Sequence, residues 1–348
     1  MAPLNRHVWS RVVALGKPLF LSPMRWGAAG ALAVIVTLLL TLNALNVGNS
    51  YVGRGFITAI SQRHRGEYVR FALLYLAVFG ASAVVGVTSQ FAQDRLALLW
   101  RESLTRHLID RYLGGHTFDR IAAKKEIDNP DQRIAEDVRT FTSNLVSFVV
   151  MIANSTLTTI AFAGVLWSIT PALLLTAVLY AALGSTLTVF LGFRLVALNN
   201  LQLKKEADFR YGLIHLREHA EPLNARGEPK EGRRVRARLR RVVHNTRAII
   251  GVTRNVGFFT SGYNYLVQIL PILVVAPRYF RGEVEFGVVT QSAMAFAQLL
   301  GAFSLIVAQF QGLSTFAAVI GRLGALQEEM GAGLSERPPG DHSRTAPR

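Results

Sequence analysis

The chain has 348 residues, 51% of them hydrophobic and only 17% charged, with a formal net charge of +16. Soluble domains average about 25% charged residues, and the deficit here is concentrated: between Arg139 and Arg194 no Asp, Glu, Lys or Arg occurs for 54 residues. Even the buried helices of a soluble domain keep a solvated face, so an ordinary cytosolic enzyme, a disordered tail and a fibrous repeat are all excluded. The composition defines a multispanning, all-α membrane protein.

In chain order, residues 1–24 come first, and 3–22, opening Pro3-Leu4-Asn5-Arg6-His7-Val8-Trp9-Ser10-Arg11-Val12-Val13-Ala14-Leu15, reads as an amphipathic helix lying on the inner membrane surface. This is not a cleavable signal, because the first apolar run of span length begins only near Gly27 and further spans follow. A crossing needs about 20 apolar residues. The uncharged windows place six spans near 27–47, 71–93, 140–168, 171–193, 255–277 and 286–313. The longest window exceeds one crossing and breaks at Ser168-Ile169-Thr170-Pro171, where Pro171 suits the first turn of a new helix. The windows are apolar throughout rather than alternating, so they are helices and not barrel strands. Runs such as Ala28-Ala29-Gly30-Ala31 and Ala181-Ala182-Leu183-Gly184 let helix backbones approach closely in lipid. Residues 25–330 thus form one six-helix domain, and 331–348, rich in Gly, Pro and charge, are expected to be a disordered tail.

Lys and Arg in the connections set the orientation. Alternate segments hold 29 against 5, which puts both termini and the two long connections in the cytoplasm of a cell whose inner membrane the chain spans. The basic run 230–247 belongs to one of those connections. There it reads as a helix beside anionic headgroups rather than a nucleic-acid site, so membrane lipids are expected partners and nucleic acid is not.

Most enzymatic signatures are missing. The chain has no phosphate loop, and no Gly-x-Ser-x-Gly elbow or His-Glu-x-x-His zinc helix. Cysteine is absent, which removes disulfides and thiolate metal sites. His215 and His219 share a helical spacing but have no further ligand pair nearby, so no metal site is expected. Nothing in the chain is expected to be catalytic or to bind a cofactor. The spans also contain no carboxylate, which disfavours a proton relay. Their polar inventory is Asn154, Asn264, Gln268, Gln291, Gln298 and Gln309, with Tyr263 and Tyr265. Asn154, Asn264, Gln268, Gln291 and Gln298 are the candidates for lining a substrate pathway.

Two polar segments carry the remaining information. Asp128-Asn129-Pro130-Asp131-Gln132-Arg133-Ile134-Ala135-Glu136-Asp137 leads into the third span, with Asn129 or Asp128 as N-cap and acidic residues at the positive helix end. Glu206-Ala207-Asp208-Phe209-Arg210-Tyr211, followed by Arg217-Glu218 and Ala220-Glu221, extends the fourth span as a charged helix. Both segments resemble motifs of the ABC exporter transmembrane domain, in the branch containing SbmA/BacA-like bacterial transporters and peroxisomal fatty-acyl half-transporters. Leu45-Asn46-Val47-Gly48-Asn49-Ser50-Tyr51 resembles a third motif of that branch.

The resemblance covers residues 25–330 and implies a type 1 exporter fold with long cytoplasmic helix extensions. It implies a permease that works as a homodimer or with a related half, driven by ATP and Mg held on a partner ATP-binding subunit. Contact with that partner would fall near Thr117–Asp131 and Leu216–Gly227, positioned by Asp131, Arg133, Glu136, Glu206, Arg210 and Glu221. Pro222-Leu223-Asn224-Ala225 departs from the branch pattern and weakens the second contact region. Because the sequence ends just past the sixth span, three expectations stand: a separate ATP-binding chain, a proton-driven SbmA/BacA-like peptide carrier, or a truncated remnant. A membrane scaffold tethering nucleic acid through 230–247 is the remaining alternative.

Overall fold

The computed structural model describes residues 6–21, 24–114, 117–124, 127–218, 230–308 and 310–335. Every regular element among them is a helix: α1 (Arg6–Leu21), α2 (Arg25–Ser61), α3 (Arg65–Leu113), α4 (Thr117–Lys124), the single turn α5 (Pro130–Gln132), a π-helical turn (Arg133–Asp137), α6 (Val138–Ile169), α7 (Pro171–Glu218), α8 (Lys230–Phe280), α9 (Phe286–Ala308) and α10 (Phe310–Ser335). Among the described residues, six stretches are long and apolar enough to cross a bilayer, namely those in α2, α3, Pro130–Ile169, α7, α8 and α9. On α3 the side chains of Leu73, Leu76, Phe79, Val84, Val87 and Phe91 are exposed. In water so long an apolar surface would drive association; in a bilayer it meets lipid.

The long central window divides as its sequence dictates. Helix α6 closes at Ile169, Thr170 stands between the helices, and Pro171 opens α7. Three helices run far past their apolar windows. The polar portions of α3 beyond Gln93 and of α7 beyond Phe193 each extend about 30–37 Å at 1.5 Å per residue.

The chain forms two compact units, residues 1–165 with 301–348, and residues 166–300. In the first, α2 packs along α3, and α1 lies against α3 and α10. Its core has two parts. Leu15, Leu104, Leu108, Ile121, Phe141, Phe316, Leu323 and Leu326 form one, with Phe141 and Phe316 stacked at 5.8 Å. Leu19, Ala28, Ile35, Leu39, Leu96 and Val146 form the other. Leu15 and Leu19 bury one side of α1 against protein while Trp9 and Val13 stay exposed, so protein, and not only a membrane surface, covers the apolar face of α1.

In the second unit α7 pairs along its length with α8. Gly184 sits directly under the Tyr263 ring, where a Cβ would collide. That approach lets Tyr180 and Tyr263 stack at 4.3 Å while each hydroxyl donates to the other's backbone carbonyl, at 2.6 and 3.3 Å. Helix α10 carries the chain through Ser335, so 331–335 are helical. The rest of the segment expected to be a disordered tail, 336–348, lies outside the described residues.

Candidate functional site: the helix tie at the end of the first unit

The polar motif 128–137 folds in a way its composition only partly announces. Asn129 occupies the N-cap position but makes no side-chain cap; its backbone is left-handed, with φ 47° and ψ 64°. Pro130 disfavours a right-handed helical residue before it, and Asn is among the few residues that tolerate the left-handed region. Asn129 therefore serves by conformation, and the expected capping bond is absent.

The chain next makes a π turn, with the Val138 N–H donating to the Arg133 carbonyl. Such turns shift the register of later side chains and often mark functional sites. Here Asp137 is buried, whereas Asp131 and Glu136 stay in solvent.

Asp137 meets Arg322 of α10 through two bonds, Nε to Oδ2 at 2.7 Å and Nη2 to Oδ1 at 2.6 Å. This forked geometry is the strong form of an ion pair, and the carboxylate holds the Arg322 pKa above its ordinary value. Arg133 spans the same gap from the other side. Its Nη1 donates to the Arg322 carbonyl at 2.9 Å and its Nε to the Asp128 carbonyl at 3.0 Å. Further along α10, Arg11 of α1 crosses Gly324 and grips Glu328 with two bonds of 2.9 Å. Arg120 of α4 then donates to the Glu329 carbonyl at 3.2 Å. Helix α10 is thus tied between residues 321 and 329 to α1, to α4 and to the motif.

The other predicted residues are placed as follows. Glu136 in the π turn accepts from Gln132 of α5 at 3.2 Å, and Glu206 accepts from Gln202 within α7 at 2.9 Å. Arg210 is exposed on α7. Glu221 lies outside the described residues, as does nearly all of the second expected contact region, 219–227. Around Glu206, Gln202 and Asn245 join α7 to α8: Asn245 donates to the Gln202 side chain at 2.8 Å and to the Leu198 carbonyl at 3.0 Å, and Gln202 donates to Thr246 at 3.0 Å.

Among the intramembrane candidates, Asn154 accepts a 3.0 Å bond from Asn43 of α2, and Thr158 donates to Asn43 at 2.9 Å. Asn154 therefore fastens α2 to α6. Asn264, Gln268 and Gln298 are exposed, and Gln291 is buried with neither end of its amide bonded among the described residues. Gln309 is outside the described residues.

Sequence reasoning missed Arg322, Arg11, Arg120 and Asn43 as site residues. Arg322 did carry a signal, being the first charge after Glu285.

Six apolar helices, three of them prolonged as long polar rods, with α10 strapped to the motif that leads into α6, fit the membrane domain of a transporter of the ABC class. The family described as ABC transporter transmembrane region 2 matches residues 15–280, and the chain belongs to that family. It is 39% identical to ABC transporter D family member 2, chloroplastic, of Arabidopsis thaliana, over 93% of this chain and 46% of that protein. It is 35% identical to an uncharacterized ABC transporter ATP-binding protein of Synechocystis, over 90% and 48%. Identity is 28% to the human lysosomal cobalamin transporter ABCD4, over 69% and 41%. The chain spans about half the length of these curated relatives.

Proposed function

We propose that this chain forms one half of an ATP-driven, alternating-access transporter, completed by a second copy or a related half and by an ATP-binding domain. Six helices of this fold enclose half a pathway, and nucleotide-driven movement at the ends of the rods would rock the halves between two accessible states. The observation that carries the reading is the tie on α10. The last helix of the domain is held by Asp137, Arg133, Arg120 and Arg11 to the motif and to α4, so a push on either is transmitted to the other. The absence of any carboxylate from the six apolar windows supports ATP over protons as the source of energy. The excess of Lys and Arg in alternate connections supports a cytoplasmic side for both termini and the long rods, in what this reading takes to be the inner membrane.

Asn264 and Gln268 lie one turn apart on α8, and both are exposed, as is Gln298. Amide side chains turned to lipid would forfeit their hydrogen bonds, so these three are assigned to the pathway. The test is ATP hydrolysis and tracer uptake in vesicles containing the chain with an ATP-binding domain. Arg210→Ala should lower transport-coupled turnover without loss of membrane insertion, and Gln268→Leu should lower uptake more than turnover. Uptake by the wild-type chain without nucleotide, driven by a pH gradient alone, would overturn the reading.

A further inference from the structure

A cavity of about 410 Å³ lies in the second unit between α7 and α8, lined by Phe190, Leu191, Phe193 and Arg194 of α7 and by Val252 and Asn255 of α8. That volume is within the range of ligand sites, roughly 300–1,000 Å³. Arg194 is the one charged group among the lining residues, and it has no hydrogen bond or ion pair among the described residues. No acid is near in either helix. The first on α7 is Glu206, about 18 Å further along, and α8 has none from Gly232 to Phe280. The Asn255 oxygen accepts from Arg254 at 3.3 and 3.1 Å, which leaves its amide N–H groups as donors in the wall. One uncompensated guanidinium with neutral donors beside it suits an oxyanion.

Both ends of the helix pair fix the level of the cavity in a bilayer. At the far end, Arg278 of α8 donates to the Ile169 carbonyl at 2.7 Å, just before α7 opens at Pro171. From Pro171 through Phe193, α7 carries no charge, and Arg194 is the first charged residue after that run. The run is about 34 Å long. On α8 the matching charge-free run lies between Arg254 and Arg278. A hydrocarbon core is about 30 Å thick, with a headgroup layer of roughly 5–8 Å on each side. A run of about 34 Å centred on that core sets Arg194 about 2–4 Å outside its edge, in the headgroup layer. Phe190 lies about 6 Å back along the axis, just inside the hydrocarbon. The cavity straddles the boundary where a phosphodiester meets its acyl chains.

The cavity also opens on the apolar side of the pair. Asn245 and Tyr263 mark the line along which α8 meets α7. At about 100° per residue, Asn255, Leu266 and Leu273 lie about 60–80° to one side of that line, and Asn264 and Gln268 about 100–140° to the other. On α7, measured from Tyr180, Leu179, Leu183 and Phe190 fall about 60–100° to the cavity's side. Leu179, Leu183, Phe190, Leu266 and Leu273 are all exposed. The opposite side exposes Thr188 of α7, with Thr253 and Thr260 of α8 beside the two amides. An apolar face at hydrocarbon depth meets lipid chains, whereas the polar face does not.

From these observations we infer that the cavity between α7 and α8 binds an anionic glycerophospholipid, its phosphodiester held by Arg194 and Asn255 and its acyl chains laid along Phe190 and Leu183. With no acid among the lining residues to receive a choline or ethanolamine cation, an anionic headgroup is preferred over a zwitterionic one. The lipid would bridge α7 and α8 about one turn from Leu198, whose carbonyl accepts from Asn245 of α8.

The test uses the full chain in phosphatidylcholine nanodiscs with graded fractions of phosphatidylglycerol. Native mass spectrometry counts the phosphatidylglycerol that each chain keeps on release. The most tightly held molecule should number one per chain, and Arg194→Gln should weaken it roughly fivefold. Arg194→Lys preserves the charge and should keep the lipid, which separates lost binding from lost folding. Arg240→Gln removes one exposed charge on α8, about 20 Å further from the hydrocarbon, and should change nothing. Equal retention by wild type and Arg194→Gln would overturn the site, and so would an equal loss on Arg240→Gln. Phosphatidylcholine held as tightly as phosphatidylglycerol would overturn the anionic preference. Inorganic phosphate stabilising the lipid-free protein as strongly as phosphatidylglycerol would show a free-anion site and overturn the lipid assignment. None of these readouts needs nucleotide or transport, so they stand or fall apart from the proposed function.

Discussion

Replacing Arg322 with Ala removes both bonds to Asp137 and leaves the carboxylate, whose side chain is only 8% exposed, without its cation. Breaking a fully buried pair costs about 3–5 kcal/mol. Arg322 keeps 48% exposure, so solvent screening brings the expected cost down to about 2–3 kcal/mol. The Arg11–Glu328 pair is 32% and 62% exposed, and an ion pair so open contributes about 0–1 kcal/mol. The two ties should therefore differ clearly in effect.

At about 1.4 kcal/mol per decade, Arg322→Ala should raise the population with α10 detached by roughly 30- to 150-fold. Hydrogen exchange of the α10 amides between Leu323 and Met330 reads that population directly. Glu328→Gln should accelerate exchange less than about fivefold. Combining Asp137→Asn with Arg322→Ala should recover part of the loss, because no buried charge is then left unpaired. If Arg322→Ala and Glu328→Gln accelerated exchange equally, or if neither did, the argument that α10 is held mainly through Asp137 would be wrong.

Other outcomes follow from single positions. Asn43→Ala strips bonds from both Asn154 and Thr158 and should destabilise the domain by about 1–2 kcal/mol, measured by unfolding in detergent. Gly184→Leu should lower the melting temperature in the wild type but much less in a Tyr263→Ala background, since the collision is with that ring. Asn129→Val should cost about 1–2 kcal/mol and Asn129→Gly almost nothing, because the position is left-handed. Burial, and then the charge of Arg111, lowers the pKa of His107 from 6.5, with Asp110 opposing. The unfolded chain then takes up its proton at higher pH than the folded one, so stability held above pH 6.5 is lost as pH falls through the lowered value. His107→Gln should flatten that decline in a thermal melt series from about pH 7.5 to 5.5.

The architecture was legible in the sequence where one physical requirement dominates. Length and freedom from charge announced six spans, and Pro171 marked the break between two of them, because a bilayer tolerates few alternatives to an apolar helix. The motif 128–137 was also visible, but its working geometry was not. Nothing in Asn129-Pro130 distinguishes a capping side chain from a left-handed backbone, and a π turn at 133–137 leaves no mark on local periodicity. The partner of Asp137 lies 185 residues along the chain, so the pair depends on tertiary packing. Asn154 shows the converse. An amide in an apolar window reads equally as a pathway residue or as glue between helices, and here it bonds to Asn43.

The central claim is that nucleotide acts on this domain through the ends of its long helices. The chain has no cysteine, so a spin label at Leu113→Cys, 64% exposed at the tip of α3, reports that end alone. The distance between labels on the two halves should be measured in nanodiscs with an ATP-binding domain present, before and after adding Mg·ATP. The distance should shorten with ATP and return after hydrolysis. A distance that ignores nucleotide, or one that responds only to an imposed pH gradient, would contradict the claim.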